Sequence, residues 1–336
     1  MKKLSLTLAA VFIASLAFAS IALAGSVRLT YSNFFPPTHI QSKLADQWCR
    51  MVEERTGGKV VVDYFPGGTL TKAKQNYDGV VEGISDIGMS CLAYSRGRFP
   101  VMAAVDLPLG YTSGTQATAM ANAVYTKFTP RELRDVKPMY FHAHGPGLLF
   151  TAPRPVATQE ELKGLKIRST GNSAKLVKAL GGTPVAQSMP TSYQSLQKGV
   201  VDGSMNPIES NKGWKLAEVV KFGTESFPVA YTTTFFVVMN KDKWDMIDPD
   251  SQKAIEELNK EWAVMHGKAW DEADAVGKQF FLDKGGKMVP LADDEAARWV
   301  EAAKPVMQGY VNDVAKKKIN GEEVLEFIKS RLTASQ

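Results

Sequence analysis

The chain has 336 residues, of which 44% are hydrophobic and 22% are charged, and its formal net charge is +5. This composition is typical of a globular protein and excludes a disordered or fibrous chain. The positive charge is mild and scattered, which argues against nucleic acid as a partner.

The N-terminus has the pattern of a secretory signal peptide. Lys2 and Lys3 precede an apolar run over residues 4–23, and Ala22-Leu23-Ala24 forms a small-residue cleavage pattern. We therefore expect a signal peptide over residues 1–24 and export to the periplasm. The alternative for this run is a membrane anchor. Cleavage would remove two lysines and no acid, which lowers the net charge from +5 to about +3.

The remaining chain, about 310 residues, exceeds the size of a usual single core, so two domains are expected. Cys49 and Cys91 are the only cysteines. The periplasm permits a disulfide between them. Two buried thiols are the favoured alternative, because a chain of this length needs no covalent cross-link.

The first part of the mature chain alternates strands and helices. Apolar patterning predicts strands over 27–32, 60–65 and 87–90, and helices over 40–56 and 77–83. The order strand, helix, strand, helix, strand predicts an α/β unit with parallel strands.

A second α/β unit follows in the middle of the chain. Strands are predicted over 139–142, 149–151, 165–169, 203–205 and 233–239, with helices over 173–180 and 192–198. Apolar residues from Ile255 to Phe280 recur at helical spacing and predict a helix from about 250 to 281, roughly 45 Å long. Such a helix can contact two domains. The alternative is two helices interrupted near Gly267.

Catalytic motifs are absent from the sequence. It contains no G-x-S-x-G, no Walker loop, no H-E-x-x-H and no C-x-x-C. His142 and His144 fall on one side of a predicted strand and are able to hold a metal, but no third ligand is identifiable. We therefore interpret them as a polar wall or a structural pair and expect no catalytic residue, metal or cofactor.

Between residues 161 and 222 the chain reads ELKGLKIRST, then ALGGTPVAQSMPTSYQSLQKGVVDGSMNPIES, then GWKLAEVVKF. These segments resemble the DctP-type solute-binding subunit of tripartite ATP-independent periplasmic (TRAP) transporters. The resemblance implies a periplasmic-binding-protein-like fold of two α/β domains with crossing strands and a long helix bridging both. We place domain I at 25–145 plus 233–272, and domain II at 146–232 plus 273–336.

The resemblance also implies a ligand site in the cleft between the domains. Arg168 would pair with the ligand carboxylate, because a guanidinium offers two parallel hydrogen bonds that lysine cannot reproduce. Asn206 falls where the family has an amide that contacts the ligand. Further candidate ligand-binding residues are Met189, Tyr94, Phe235, Cys91, His144 and Leu148, for each of which simple core packing is the alternative.

Two of these positions distinguish the chain from the sialic-acid-binding branch of the family. Leu148 and Cys91 stand where that branch has a second arginine and an acidic side chain. A sugar acid needs many hydrogen-bond partners, so the more apolar pocket predicts a small monocarboxylate, a hydroxy or keto acid, or an aromatic acid.

We therefore predict a monomeric, non-enzymatic periplasmic protein that captures a small organic anion. It would deliver this ligand to the integral membrane subunits of a TRAP transporter. The alternatives are a binding protein of an ATP-driven transporter, a binding protein of a sensor, or a periplasmic enzyme that acts through His142 and His144.

Overall fold

The computed structural model describes residues 26–334. The predicted signal peptide lies outside these residues. Eleven strands are described, and the first five form the following segments: β1 Val27–Asn33, β2 Val60–Phe65, β3 Ile87–Cys91, β4 Lys137–Ala143 and β5 Gly147–Thr151. The remaining strands are β6 Lys166–Ser169, β7 Thr183–Ala186, β8 Gly203–Pro207, β9 Phe222–Thr224, β10 Thr234–Met239 and β11 Lys287–Val289.

Eleven α-helices are described within the same residues. They are α1 Ile40–Arg55, α2 Asn76–Val81, α3 Gly114–Phe128, α4 Gln159–Leu162, α5 Gly171–Ala179, α6 Ser192–Gln197, α7 Ser210–Gly213, α8 Lys241–Asp245, α9 Pro249–Asp283, α10 Asp293–Ala315 and α11 Gly321–Ala334. None of these described helices combines the length and the apolar character needed to cross a membrane.

The strands form two mixed sheets, which confirms the predicted α/β class. One has five strands in the order β2-β1-β3-β10-β4, and the other has six in the order β11-β9-β5-β8-β6-β7. In the first sheet β1 pairs in parallel with β2 and β3, whereas β10 runs antiparallel to β3 and β4. We call residues 26–143 with β10 the first lobe, and residues 147–224 with β11 the second lobe.

The chain crosses between the lobes in two short segments. Residues 144–146 lead from β4 to β5, and residues 225–233 lead back from β9 to β10. The two crossings are joined by a bridge between Gly147 and Tyr231, and the backbone N–H of Gly147 donates to the carbonyl of Tyr231 at 2.7 Å. The predicted crossings between the lobes are thus present, as connecting segments that meet at this bridge.

Helix α9 is a single helix of 35 residues, so the alternative of two helices broken at Gly267 is wrong. It begins at Pro249, and the side chain of Asp248 caps it by accepting from the backbone N–H of Ser251 at 3.2 Å. Gly267 allows close packing here: a Cβ at this position would lie 3.1 Å from the Cα of Thr115 on α3. The glycine therefore serves helix contact and does not end the helix.

The same helix contacts both lobes through successive turns. The Asp271 carboxylate accepts from the backbone N–H groups of Gly114 and Thr115, at 2.5 and 3.1 Å, in the first lobe. One turn later, Asp274 accepts from the backbone N–H of Glu209 in the second lobe at 2.9 Å. Helix α9 is therefore a brace across the two lobes, as its predicted length suggested.

The C-terminal helices return to the first lobe. Val306, Tyr310, Ile328 and Leu332 of α10 and α11 belong to the hydrophobic cluster that also contains Met120 of α3. This packing attaches residues 306–332 to the first lobe. The domain boundaries given above stay a prediction. Helix α3 has no counterpart among the predicted elements, because its alanine- and threonine-rich sequence has little apolar contrast between faces.

Both cysteines are buried free thiols, as the favoured alternative predicted. Cys49 lies on α1 and Cys91 ends β3. Burial raises the pKa of each thiol well above its usual value, so both remain protonated and poorly reactive.

Candidate ligand-binding site

A small cavity of about 30 Å³ lies between the closed lobes. Its first-lobe wall consists of Phe34, Phe35, Cys91, Tyr94 and Phe235. The second-lobe wall consists of Arg168, Thr170, Met189, Met205, Asn206, Pro207, Glu209, Ser210 and Trp214. The crossing segments add His144, Tyr231 and Thr233, and α9 adds Trp270.

Arg168 is the one cationic side chain in this lining. It lies on β6 in register with Ser204 of β8, and it is only 4% exposed. Its Nε donates to the carbonyl of Gln187 at 3.0 Å, and its Nη1 donates to the carbonyl of Met205 at 3.1 Å. It forms no salt bridge with any acidic side chain in residues 26–334. Two neutral carbonyls thus fix the guanidinium while its charge stays unmatched, which is the arrangement an anion site requires.

Asn206 lies beside this arginine on the next strand. It follows Ser204 by two residues on β8, so its side chain projects from the same face of the sheet. Its Nδ2 donates to the carbonyl of Pro207 at 3.0 Å. Its Oδ1 is buried and has no hydrogen-bond partner among the described residues. The site therefore offers a fixed cation and an adjacent amide.

Aromatic rings form most of the remaining wall. Phe34 stacks against Trp214 with ring centroids 6.0 Å apart and against Phe235 at 6.2 Å, with interplanar angles of 18° and 13°. Phe235 in turn stacks on Trp270 at 5.4 Å. These near-parallel rings come from four separate segments of the chain. They provide an apolar wall on which a flat ligand body can stack.

Tyr94 and Met189 connect the lobes at the cavity. The backbone N–H of Met189 donates to the Tyr94 hydroxyl at 2.9 Å. Burial raises the pKa of Tyr94, so its hydroxyl stays protonated and retains a donor. Outside the cavity, Nδ2 of Asn172 donates to the carbonyl of Ala103 at 2.7 Å, a second hydrogen bond between the lobes. The lobes are therefore closed on each other at the site.

His144 lies in the first crossing segment, between β4 and β5. Burial lowers its pKa to about 4, so the imidazole is neutral at pH 7. Its Nδ1 lies 2.6 Å from the carbonyl of Gly145 and must carry the proton to donate to it. Nε2 is then an acceptor, and it makes no hydrogen bond to any residue the structure describes.

His142 does not line the cavity. Its ring stacks behind Phe235 at 4.9 Å, and its Nδ1 accepts from the indole N–H of Trp270 at 3.0 Å. His142 is thus a packing partner of the aromatic wall. Within residues 26–334, no group of three or more His, Cys, Asp or Glu residues is arranged to hold a metal.

Seven of the eight predicted site residues meet in this cavity; they are Arg168, Asn206, Met189, Tyr94, Phe235, Cys91 and His144. Leu148 does not contribute to the lining. It is the register partner of Asn206 in the pairing of β5 with β8, and it is 1% exposed within the hydrophobic core. It therefore supports the site from the hydrophobic core.

Several lining residues escaped prediction. Phe34 and Phe35 follow β1, and a loop after a strand is where α/β proteins place ligand contacts, so their position was a usable signal. Trp214 lies inside the quoted GWKLAEVVKF segment. For Trp270, the helical spacing indicated a core face and nothing in the sequence indicated a cavity.

Glu209 is a buried carboxylate in the same lining. It accepts from the hydroxyl of Ser210 at 2.9 Å, and its Oε2 lies 3.2 Å from Nε2 of His39. The Nδ1 of His39 accepts from the backbone N–H of Gln41 at 3.2 Å, and its Nε2 makes no hydrogen bond to any described residue. Glu209 therefore pairs with Ser210 and lies beside His39, and within the described residues it forms no salt bridge with Arg168.

Two α/β lobes that close on a cavity with a fixed, unmatched cation define a solute-binding protein for an anion. The chain belongs to bacterial extracellular solute-binding protein family 7, the DctP family, whose model matches residues 31–313. The family and the fold are those of solute-binding proteins, and the resemblance to TRAP solute-binding subunits is confirmed.

Three solved structures illustrate this relationship. A TRAP periplasmic solute-binding protein from Desulfovibrio salexigens, in an open complex, is 32% identical, with a TM-score of 0.80 and coverage of 91% of this chain and 96% of that one. A TRAP periplasmic solute-binding protein from Bordetella bronchiseptica, with bound (R)- and (S)-mandelate, is 28% identical, with a TM-score of 0.86 and coverage of 92% and 100%. A TRAP solute-binding protein from a marine metagenome is 26% identical, with a TM-score of 0.87 and coverage of 92% and 99%. It is specific for aromatic acids and holds metahydroxyphenylacetate.

Proposed function

We propose that this protein captures an aromatic monocarboxylate and delivers it to a TRAP transporter. The observation that carries the proposal is the combination of one unmatched guanidinium, Arg168, with a wall of stacked aromatic rings. The guanidinium supplies a bidentate partner for one carboxylate, and the rings bury a flat apolar body.

The lining gives little support to a sugar acid or a dicarboxylate. A dicarboxylate would need a second cation, and Arg168 is the sole cationic side chain in the cavity wall. A sugar acid would bring several hydroxyl groups against Phe34, Trp214, Phe235 and Trp270, where they would lose hydrogen bonds to water without replacement. The mandelate and metahydroxyphenylacetate ligands of the Bordetella and metagenome proteins support the same ligand class.

The remaining parts of the proposal follow from the family. The precursor would be exported and cleaved after Ala24, and the mature protein would work in the periplasm. The closed lobes would dock on separate integral membrane subunits, and the protein would act by binding, with no chemical step. A sensor role or an ATP-driven transporter would use the same binding event, and the genes beside this one would distinguish them.

Isothermal titration calorimetry of the mature protein tests the ligand class. The matched ligands are benzoate, its neutral analogue benzamide, the dicarboxylate succinate and the sugar acid glucuronate. We expect benzoate to bind at least a hundredfold more tightly than benzamide, because benzamide leaves the Arg168 charge buried and unpaired. Tighter binding of glucuronate or succinate than of benzoate would contradict the proposal.

A further inference from the structure

A histidine and a glutamate from different lobes meet beside the cavity. His39 caps helix α1 of the first lobe, and Glu209 follows β8 in the second lobe. Nε2 of His39 lies 3.2 Å from Oε2 of Glu209, and the two side chains are 0% and 3% exposed. This buried contact therefore spans the junction between the lobes.

Each partner is fixed by residues of its own lobe. Nδ1 of His39 accepts from the backbone N–H of Gln41 at 3.2 Å, which holds the ring at the start of the helix. Oε1 of Glu209 accepts from the hydroxyl of Ser210 at 2.9 Å. Gly213 leaves room for the contact, because a Cβ at this position would lie 2.9 Å from Nε2 of His39. The remaining atoms, Nε2 and Oε2, are left to meet across the junction.

Closure of the lobes buries the Glu209 carboxylate. A buried carboxylate is costly unless a group of opposite charge lies beside it. His39 supplies such a group, because a protonated imidazole is positive and its Nε2 is within ion-pair distance. Rotation of one lobe away from the other would separate the two residues and return them to water. The contact thus stabilises the closed arrangement and is lost in an open one.

We propose that His39 and Glu209 form a latch between the lobes, which sets the rate at which the lobes open and release the ligand. His39 does not line the cavity, so it acts through Glu209 and is a positioning residue. The latch goes beyond the proposed function, which it uses only for its probe, benzoate.

The release rate of benzoate tests the latch. Trp214 and Trp270 line the cavity, so stopped-flow tryptophan fluorescence can follow association and release. His39→Asn removes Nε2 but keeps a side-chain acceptor for the helix N-terminus, since asparagine is a preferred N-cap residue. We expect release to become about tenfold faster and association to stay within about threefold, because Glu209 is left buried without its partner.

A second change, Glu209→Gln, distinguishes a latch from general loosening of the fold. Combined with His39→Asn, it should bring release back to within about threefold of the unmodified rate, because the unpaired carboxylate is gone. Alone, it should change release by less than about threefold. Glu218→Gln is the matched control, because this second-lobe acid accepts from the hydroxyl of Tyr193 in the same lobe. It should leave release unchanged with or without His39→Asn.

Two kinetic outcomes would overturn the latch. A double variant that releases benzoate as fast as His39→Asn would show that Glu209 is not the partner through which His39 acts. If Glu209→Gln slows release by the same factor with and without His39→Asn, it acts by relieving repulsion of the ligand anion. Restoration of the slow rate only in the His39→Asn background is the result that supports the latch.

A measurement without ligand keeps the latch separate from the proposed function. Lys127 of α3 and Lys178 of α5 are exposed on the first and second lobes, and both native thiols are buried. Spin labels on Lys127→Cys and Lys178→Cys report the closed fraction by double electron–electron resonance. His39→Asn should lower this fraction, and adding Glu209→Gln should restore it. An unchanged fraction in both variants would overturn the latch, whereas failure of benzoate to bind the unmodified protein would overturn the proposed function alone.

Discussion

Replacement of Arg168 by methionine separates the role of this arginine in binding from its role in stability. The guanidinium is 4% exposed and has no acidic partner in the described part of the chain. Removing it relieves the cost of burying a charge, and apolar replacement of buried ions stabilises by about 1–4 kcal/mol in favourable cases. It also deprives the carbonyls of Gln187 and Met205 of their donors, at a cost of about 1–3 kcal/mol each. Together these ranges span a gain of about 2 to a loss of about 5 kcal/mol, so we expect the free energy of unfolding of the ligand-free protein to fall by about 1.5 kcal/mol.

Ligand binding should respond very differently. The carboxylate would enter a buried site without its counter-charge, which costs about 3–5 kcal/mol, or roughly a 10²- to 10⁴-fold loss of affinity. At a ligand concentration of 100 times the dissociation constant, the unmodified protein gains about 2.7 kcal/mol of stability. The same concentration should give the variant about 0.4 kcal/mol or less, because its dissociation constant has risen at least a hundredfold.

Urea unfolding with and without benzoate measures both quantities in one experiment. The control is Arg154→Met, the same substitution at an exposed arginine that donates to the carbonyls of Glu161 and Lys163 outside the cavity. It should retain the full ligand-induced stabilisation. The reasoning is refuted if Arg168→Met keeps more than half of the stabilisation by benzoate. It is also refuted if the ligand-free variant loses more than about 5 kcal/mol, which is beyond the range worked out above.

Three further changes test other parts of the structure. Asn172→Ala removes the hydrogen bond to the carbonyl of Ala103 that joins the closed lobes. Benzoate affinity in calorimetry should therefore fall about fivefold, although Asn172 does not line the cavity. Unchanged affinity would contradict a role of this hydrogen bond in closure. Asp106 is buried and its pKa is raised to about 7 by burial, so its contribution to stability is present below pH 4 and is lost as the pH rises to about 7. Relative to Asp106→Asn, the unmodified protein should lose up to ~4 kcal/mol of unfolding free energy between pH 4 and pH 8, and a constant difference across this range would refute the assignment. Gly277→Ala would place a Cβ 2.6 Å from the Cα of Glu209, where α9 meets the second lobe, and should destabilise by about 1–3 kcal/mol in thermal melts. Gly309→Ala, in a helix with open space around it, should instead stabilise by about 0.5–1 kcal/mol, and equal shifts in the two variants would contradict the packing argument.

Hydrophobic periodicity was sufficient to predict the elements with strong apolar patterning. Strand β1 and helix α1 begin at the predicted residues, Val27 and Ile40, and α9 extends only one or two residues past its predicted ends. Helices α3 and α10 escaped prediction for a physical reason. The first has weak contrast between its faces, and the second contains Pro305, a residue that normally argues against a helix.

The motif around Arg168 was sufficient to predict the family and the position of the anion-binding arginine. The order of strands and helices was sufficient to predict the fold class. These properties depend on local pattern, which a single sequence contains. The aromatic wall depends on Phe34, Trp214, Phe235 and Trp270, which lie up to 236 residues apart and meet only when both lobes and the long helix pack together. Likewise, only the folded chain pairs Leu148 with Asn206 and buries Leu148 in the hydrophobic core. Tertiary packing decided which side chains face the ligand, because orientation and burial follow from contacts between distant segments.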